Sequence, residues 1–482
     1  LNQLMASPHN RWWALSVAST ATLVVTADSG QLSIALPAII EEFNADITLA
    51  AWIALVYALV TASLYMPCGR LSDLVGVGNL FKTGFLVYSA SSLAAGLSQG
   101  MEQLVFFRAL QGAGSAMIMA NNFALVTSLF PPEERGRAMG IAGGSVSALG
   151  YSLGPVIGGL VTHALGWRSN FYLSAALALI GLGAARALLP ADTFKGSTAR
   201  RAPFDFTGAV AFSLSISLIL IALTLSQKGS IQDPAIAALF AGGMVTLVLF
   251  VLWEKRRYEP LLDLALFRIP AFTLGNAARL ASFVTMSVNN LLMPFFVQWV
   301  MGLDPLRAGL LVAPTPLAMA MLAPIAGWLS ERFLPERLGA LGLAITAAAF
   351  SGLSFLQPEA RALEVIFWLT LLGFGMGIFQ TPNNNLLMSS VPRERLGIGS
   401  SFLSIVRSVG YSTGAALAAT IVSAQLAKAT GETSLDLQGA AHLNNAGPAL
   451  EAFLLAFHYA CLSAAVICFT GAALSMIRVS RR

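Results

Sequence analysis

The chain has 482 residues, of which 56% are hydrophobic and only 11% charged, with a formal net charge of +5. A soluble globular protein carries roughly 25% charged residues, so a water-soluble domain is excluded and a chain dissolved in lipid is expected. The basic excess does not call for a nucleic-acid partner, because membrane proteins gather Lys and Arg in the loops on one side of the bilayer.

Taken in chain order, apolar segments are predicted at 14–39, 48–68, 80–99, 103–129, 138–162, 170–190, 206–227, 233–253, 270–301, 306–330, 338–356, 361–388, 398–426 and 449–477. Each is as long as, or longer than, the ~20 residues that cross a ~30 Å hydrocarbon core at ~1.5 Å per residue. No small-residue cleavage site follows the first segment, which is expected to remain as the first helix. An even number of spans puts both termini on one side. With this assignment, 20 of the 28 basic residues fall in loops on the side of the termini. Only Arg168, Lys228, Arg307, Arg361 and Lys428 fall on the other side. That bias predicts cytoplasmic termini in a multi-pass plasma-membrane protein, the inner membrane in a bacterium. The three cysteines, Cys68, Cys461 and Cys468, show no metal-site spacing and are expected to be small buried hydrophobes.

The chain contains an internal repeat. Gly69-Arg-Leu-Ser-Asp73 recurs as Gly327-Trp-Leu-Ser-Glu331, Pro132-Glu-Glu-Arg135 as Pro392-Arg-Glu-Arg395, and Gly150-Tyr-Ser-Leu-Gly154 as Gly410-Tyr-Ser-Thr-Gly414. The common offset divides the chain into a six-helix half at 1–190, a linker with two further helices at 191–269, and a second six-helix half at 270–482. Parallel repeats around a central site suit a carrier that rocks between two openings.

Charge inside hydrocarbon is costly and therefore informative. Of the 23 acidic residues, only Asp28 is predicted deep within a helix. Desolvation favours the neutral form of a carboxylate, so a lone acid there is suited to taking up and releasing a proton. The alternative is a carboxylate tied permanently to an arginine for packing. Arg108 and Arg407 are the candidate counter-charges, each able to bind a carboxylate and carbonyls together. Arg407 could instead extend toward the membrane surface, and Arg279 is a third arginine within an apolar run.

In the fifth segment, Gly150, Gly154, Gly158 and Gly159 permit close helix packing, and Pro155 bends the helix. Buried amides need partners. Gln31, Asn122, Asn289, Asn290, Gln298, Gln380 and Asn384 are expected either to bond neighbouring helices or to line a wet central cavity. Trp52, Tyr57 and Phe296 are candidates for the wall of such a cavity, with core or lipid-facing packing as the alternative.

These motifs resemble the major facilitator superfamily, specifically its fourteen-helix drug:proton antiporter branch. Asp28 with Ala35-Leu36-Pro37 is similar to that branch's first-helix motif, in which the Asp is linked to proton coupling. Leu104 to Gly114 resembles the fourth-helix motif, with Arg108 at its proton-linked arginine. Gly150 to Gly159 resembles the fifth-helix antiporter motif. Gly69 to Gly76, including Asp73, resembles the loop between the second and third helices. That loop departs from the family pattern: Leu74, Val77 and Gly78 stand where basic residues are usual. An alternative partner for Asp73 is then expected, such as Arg135 or Arg137.

The resemblance implies an all-α membrane protein of two six-helix bundles plus two extra central helices. It implies a proton-coupled antiporter, monomeric and without cofactor, exporting hydrophobic, amphipathic or cationic compounds by alternating access. A lipid, siderophore or amphipathic metabolite is the alternative cargo. A channel or membrane enzyme is the remote alternative, and an enzyme is not expected, since H-E-x-x-H does not occur.

Overall fold

The computed structural model describes residues 8–44, 47–189, 204–226, 233–257, 260–303, 305–430 and 447–479, and no strand occurs among them. The boundary expected at 190/191 lies outside the described residues. The first half holds α1 (Pro8–Phe43), α2 (Ile47–Val75), α3 (Val77–Gly96), α4 (Met101–Met119 and Asn122–Leu129), α5 (Pro132–Met139, Gly140–Ser145 and Val146–Leu165) and α6 (Arg168–Leu188). Next come α7 (Phe206–Leu225) and α8 (Pro234–Glu254). The second half holds α9 (Pro270–Phe295, continued by Phe296–Val300), α10 (Pro305–Val312 and Pro314–Arg332), α11 (Pro335–Leu353), α12 (Ala362–Ser390), α13 (Leu396–Thr430) and α14 (Gly447–Val479).

Local chemistry sets the ends of these rods. Proline opens several of them, including α8, α9 and α11, where its missing N–H and fixed φ cost nothing. Asp233 adds a side-chain cap at the start of α8, accepting from Ala235 N. Gly76 separates α2 from α3 at φ 98°, a backbone setting that side chains resist.

Eleven of the helices are long and apolar enough to cross a membrane. The other three, α3, α4 and α11, are diluted by polar residues, some exposed and some facing neighbouring helices. In α4 these include Arg108 and Gln111, both fully buried.

The packing repeats between the halves. In the first, α1 packs on α5, α2 on α4, and α3 on both α4 and α6; in the second, α9 packs on α13, α10 on α12, and α11 on α12 and α14. The two extra helices pack on one another, and α7 also rests on α2 and α13. The internal repeat is thus realised as two six-helix bundles, with α7 beside their junction and α8 packed on α7.

The halves meet through α2 with α13 and α5 with α10, and the closest contacts lie at the end nearest the termini. A Cβ on Gly136 would fall 2.5 Å from the Gly327 carbonyl oxygen, so these two backbones touch. The Arg137 backbone N–H donates to Glu331 Oε1 at 2.8 Å, and a π-helical turn at Gly140–Ser145 lets Ser145 Oγ donate to Ala320 O at 2.6 Å. Asp73 accepts from the backbone N–H of Gly397 at 2.9 Å and of Ile398 at 3.3 Å. The expected pairing of Asp73 with Arg135 or Arg137 is therefore corrected. The carboxylate caps the start of α13, where helix N–H groups lack intrahelical acceptors, and Arg135 donates to Ser389 Oγ and Phe130 O.

Candidate functional site

Asp28 lies midway along α1 and is 3% exposed. Arg108 of α4, 1% exposed, donates from Nη1 to Asp28 Oδ2 at 2.8 Å and to Gln111 Oε1 at 2.6 Å. Its Nε donates to the Ile53 carbonyl of α2 at 3.2 Å. Gln111, one turn along α4, closes the ring by donating from Nε2 to Asp28 Oδ1 at 3.1 Å and to Ser92 Oγ of α3 at 2.8 Å. The i, i+3 spacing places both α4 side chains on one face, so one carboxylate is held by two neighbours from a single helix. The Tyr57 ring of α2 lies under the guanidinium, 4.3 Å from its carbon, and its hydroxyl donates to Ser115 Oγ at 2.9 Å. Four helices of the first half converge on this cluster, and Gly112 allows it: a Cβ there would lie 2.8 Å from the Tyr57 carbonyl oxygen.

Among the cavities between the halves, two adjoin one another. The smaller, about 370 Å³, reaches the cluster through Tyr57, Thr61, Ser115 and Arg108. The larger, about 530 Å³, is walled by Phe123, Phe283, Met286, Met319 and the polar residues Asn289, Asn290, Gln380 and Asn384. Tyr151, Arg407 and Tyr411 line both. The contacts between Gly136 and Gly327 and between Asp73 and Gly397 lie toward the termini. Ser33, Asn290, Pro294 and Val312 line the larger cavity from the opposite halves of their helices. The cavity is thus sealed toward the termini and extends toward the other face.

The structure brings Asp28 together with Arg108, one of its two candidate counter-charges, and with Tyr57, which the sequence offered only as a cavity-wall candidate. Arg407 lines the cavities rather than reaching the surface, and its Nη2 donates to Tyr65 OH at 3.3 Å. Asn289, Asn290, Gln380, Asn384 and Pro155 line the larger cavity. Other candidates are placed elsewhere. Gln31 accepts from Ser174 Oγ of α6 at 3.1 Å, inside the first bundle. Asn122 donates to Thr22 Oγ1 of α1 at 2.9 Å. Phe296 stacks on Phe457 at 4.5 Å within the second bundle. Trp52 and Gln298 are exposed and line neither cavity. Gly150, Gly154 and Gly158 press α5 against α1 at Thr26, Ala27 and Gln31. A Cβ on Gly159 would meet only Ile34 at 3.6 Å, an ordinary contact.

Arg279 of α9 is the cavity residue the sequence left unassigned. It is 2% exposed, donates from Nε to Leu403 O at 3.1 Å, and donates from Nη1 to Asn384 Oδ1. Its position in an otherwise apolar run was the available signal.

Residues 18–415 match the family model of the Major Facilitator Superfamily, and the chain belongs to that superfamily. It is similar to the riboflavin transporter RibZ of Clostridioides difficile, with 28% identity over 408 residues that cover 84% of this chain and 87% of that protein. It is also similar to the multidrug efflux pump LfrA of Mycolicibacterium smegmatis, with 29% identity over 419 residues that cover 87% and 82% of the two chains. The human organic anion transporter MFSD10 (TETRAN) shares the fold in its crystal structure: the TM-score is 0.63 at 14% identity, covering 96% of this chain and all of that one. The chain is a multi-pass membrane transporter.

Proposed function

We propose that this member of the superfamily is a proton-coupled antiporter of the fourteen-helix branch, exporting hydrophobic or amphipathic compounds by alternating access. The observation that carries the reading is the place of Asp28: a buried carboxylate held by Arg108, a residue that also lines a cavity between the halves. A charge inside a membrane protein that borders a cavity marks an ion or proton pathway.

The chemistry follows from the ring of partners. With Asp28 ionised, Arg108 is neutralised and ties α1 to α4 and α2. Protonation of Asp28 removes the charge partner and leaves Arg108 with Gln111 and the Ile53 carbonyl. The unneutralised guanidinium then raises the positive potential at the cavity wall, which couples proton occupancy to what the cavity holds. Two access states follow from the two halves, 1–190 and 270–482, turning about the cavity, with 191–269 as a linker. The contacts of Asp73 and Gly136 would form in one state and part in the other.

In this reading the partners are protons, a small hydrophobic or amphipathic substrate and the bilayer. The protein acts as a monomer in a bacterial inner membrane with cytoplasmic termini. Similarity to a riboflavin transporter favours a second cargo reading, in which the same machinery moves an amphipathic metabolite. Proteoliposomes with an imposed pH gradient test the coupling. A transported fluorescent dye should accumulate against its gradient, and a protonophore should abolish the accumulation. Accumulation indifferent to the protonophore rejects proton coupling.

A further inference from the structure

The residues lining the two cavities include Arg108, Arg279 and Arg407 and, among the described residues, no Asp, Glu, Lys or His. Of these arginines, Arg108 has a carboxylate partner in Asp28. Arg279 is bonded to a carbonyl and an amide oxygen, and Arg407 to a phenol. Neither has a carboxylate within ion-pair distance among the described residues. A guanidinium away from water and without a counter-charge is costly, as for Arg279, and the half-buried Arg407 on the same cavity wall adds mutual repulsion. Independently, Asn289 is 4% exposed, lines the larger cavity, and its Nδ2 has no hydrogen-bond partner. An unmet buried donor beside two unneutralised cations describes half of an anion site. Phe123, Phe283, Met286 and Met319 add an apolar and aromatic face to the wall, beside the amides Asn290, Gln380 and Asn384. Its volume of about 530 Å³ lies in the range of small-molecule sites.

We infer that this cavity takes amphipathic organic anions, with Arg279 and Arg407 binding a carboxylate and the aromatic and methionine wall taking the apolar body. The inference rests on the transport reading above for direction and use, and narrows its cargo. The cationic compounds allowed by the sequence would meet like charge here, which costs affinity rather than adding to it.

The test is equilibrium binding to the purified full chain in detergent, read by fluorescence anisotropy, with two dyes that share a xanthene ring system. Fluorescein carries the carboxylate and a negative charge; rhodamine 6G is esterified and cationic. Fluorescein should bind about tenfold or more tightly than rhodamine 6G, since each charge-assisted hydrogen bond contributes about that factor. Arg407→Gln should weaken fluorescein by a similar factor, and Arg407→Lys should restore part of it. Arg407 is only half-buried, so it carries the test if Arg279→Gln fails to fold. Rhodamine 6G binding as tightly as fluorescein, no fluorescein binding at all, or unchanged fluorescein affinity in Arg407→Gln overturns the inference. Binding is measured without a proton gradient, so its failure is distinct from a failure of gradient-driven transport.

Discussion

The carboxylate of Asp73, at the end of α2, accepts hydrogen bonds from the backbone N–H of Gly397 and Ile398 at the start of α13. This contact crosses from one half of the chain to the other. Its partners belong to the peptide backbone, so its strength depends on the two helix ends staying together.

Removing that acceptor should loosen the seal on the face nearest the termini. Asp73→Ala deletes two hydrogen bonds to a charged group, together worth about 1.5–3 kcal/mol or more. Spin labels at Thr83→Cys and Arg337→Cys, in a background with the three native cysteines replaced by alanine, should show a longer distance population in Asp73→Ala. An unchanged distribution would mean that the backbone contact of Gly136 with Gly327 holds the seal alone.

Arg108 should not tolerate lysine. Its Nη1 reaches Asp28 and Gln111 while Nε reaches the Ile53 carbonyl, and a single ammonium cannot reproduce that fork. Arg108→Lys is expected to lower proton-driven dye transport by about tenfold or more, although the charge is conserved. Transport at the unmodified rate would reduce Arg108 to a simple counter-charge.

Gly154 should respond to size alone. A Cβ there would sit 2.6 Å from the Ala27 carbonyl oxygen of α1, so Gly154→Leu forces α1 and α5 apart. The overpacking should cost about 1–3 kcal/mol, seen as a lower melting temperature in detergent. Gly159→Leu, where the added Cβ meets ordinary van der Waals contact, should melt within a small margin of the unmodified protein. Equal losses at both positions would contradict the packing described.

Much of the fold was legible because hydropathy reports burial in lipid directly. The apolar segments read from sequence correspond to α1 through α14, and Asp28 and Arg108 stood out because charge is rare in such segments, although their pairing and the part of Gln111 in it came only from the structure. The cavity wall was harder to read. Tyr151 and Tyr411 occupy the same place in the internal repeat, and both line both cavities, yet they read as parts of packing motifs. Trp52 and Phe296 suited a wall, and one proved exposed while the other sits in a bundle core. An aromatic residue on an apolar helix has the same composition whether it faces lipid, core or cavity. Only the neighbouring helix decides, and that information is tertiary. Asp73 illustrates the same limit: its partners are backbone N–H groups, which leave no residue-type signature.

Proton coupling through Asp28 is tested most directly by Asp28→Asn, which keeps the side-chain shape but cannot exchange a proton. In proteoliposomes with an imposed pH gradient, the variant should fail to accumulate dye against its gradient. Its melting temperature and equilibrium dye binding should show that it still folds. Uphill accumulation at the unmodified rate would contradict the role of Asp28 and leave the architecture without its coupling residue.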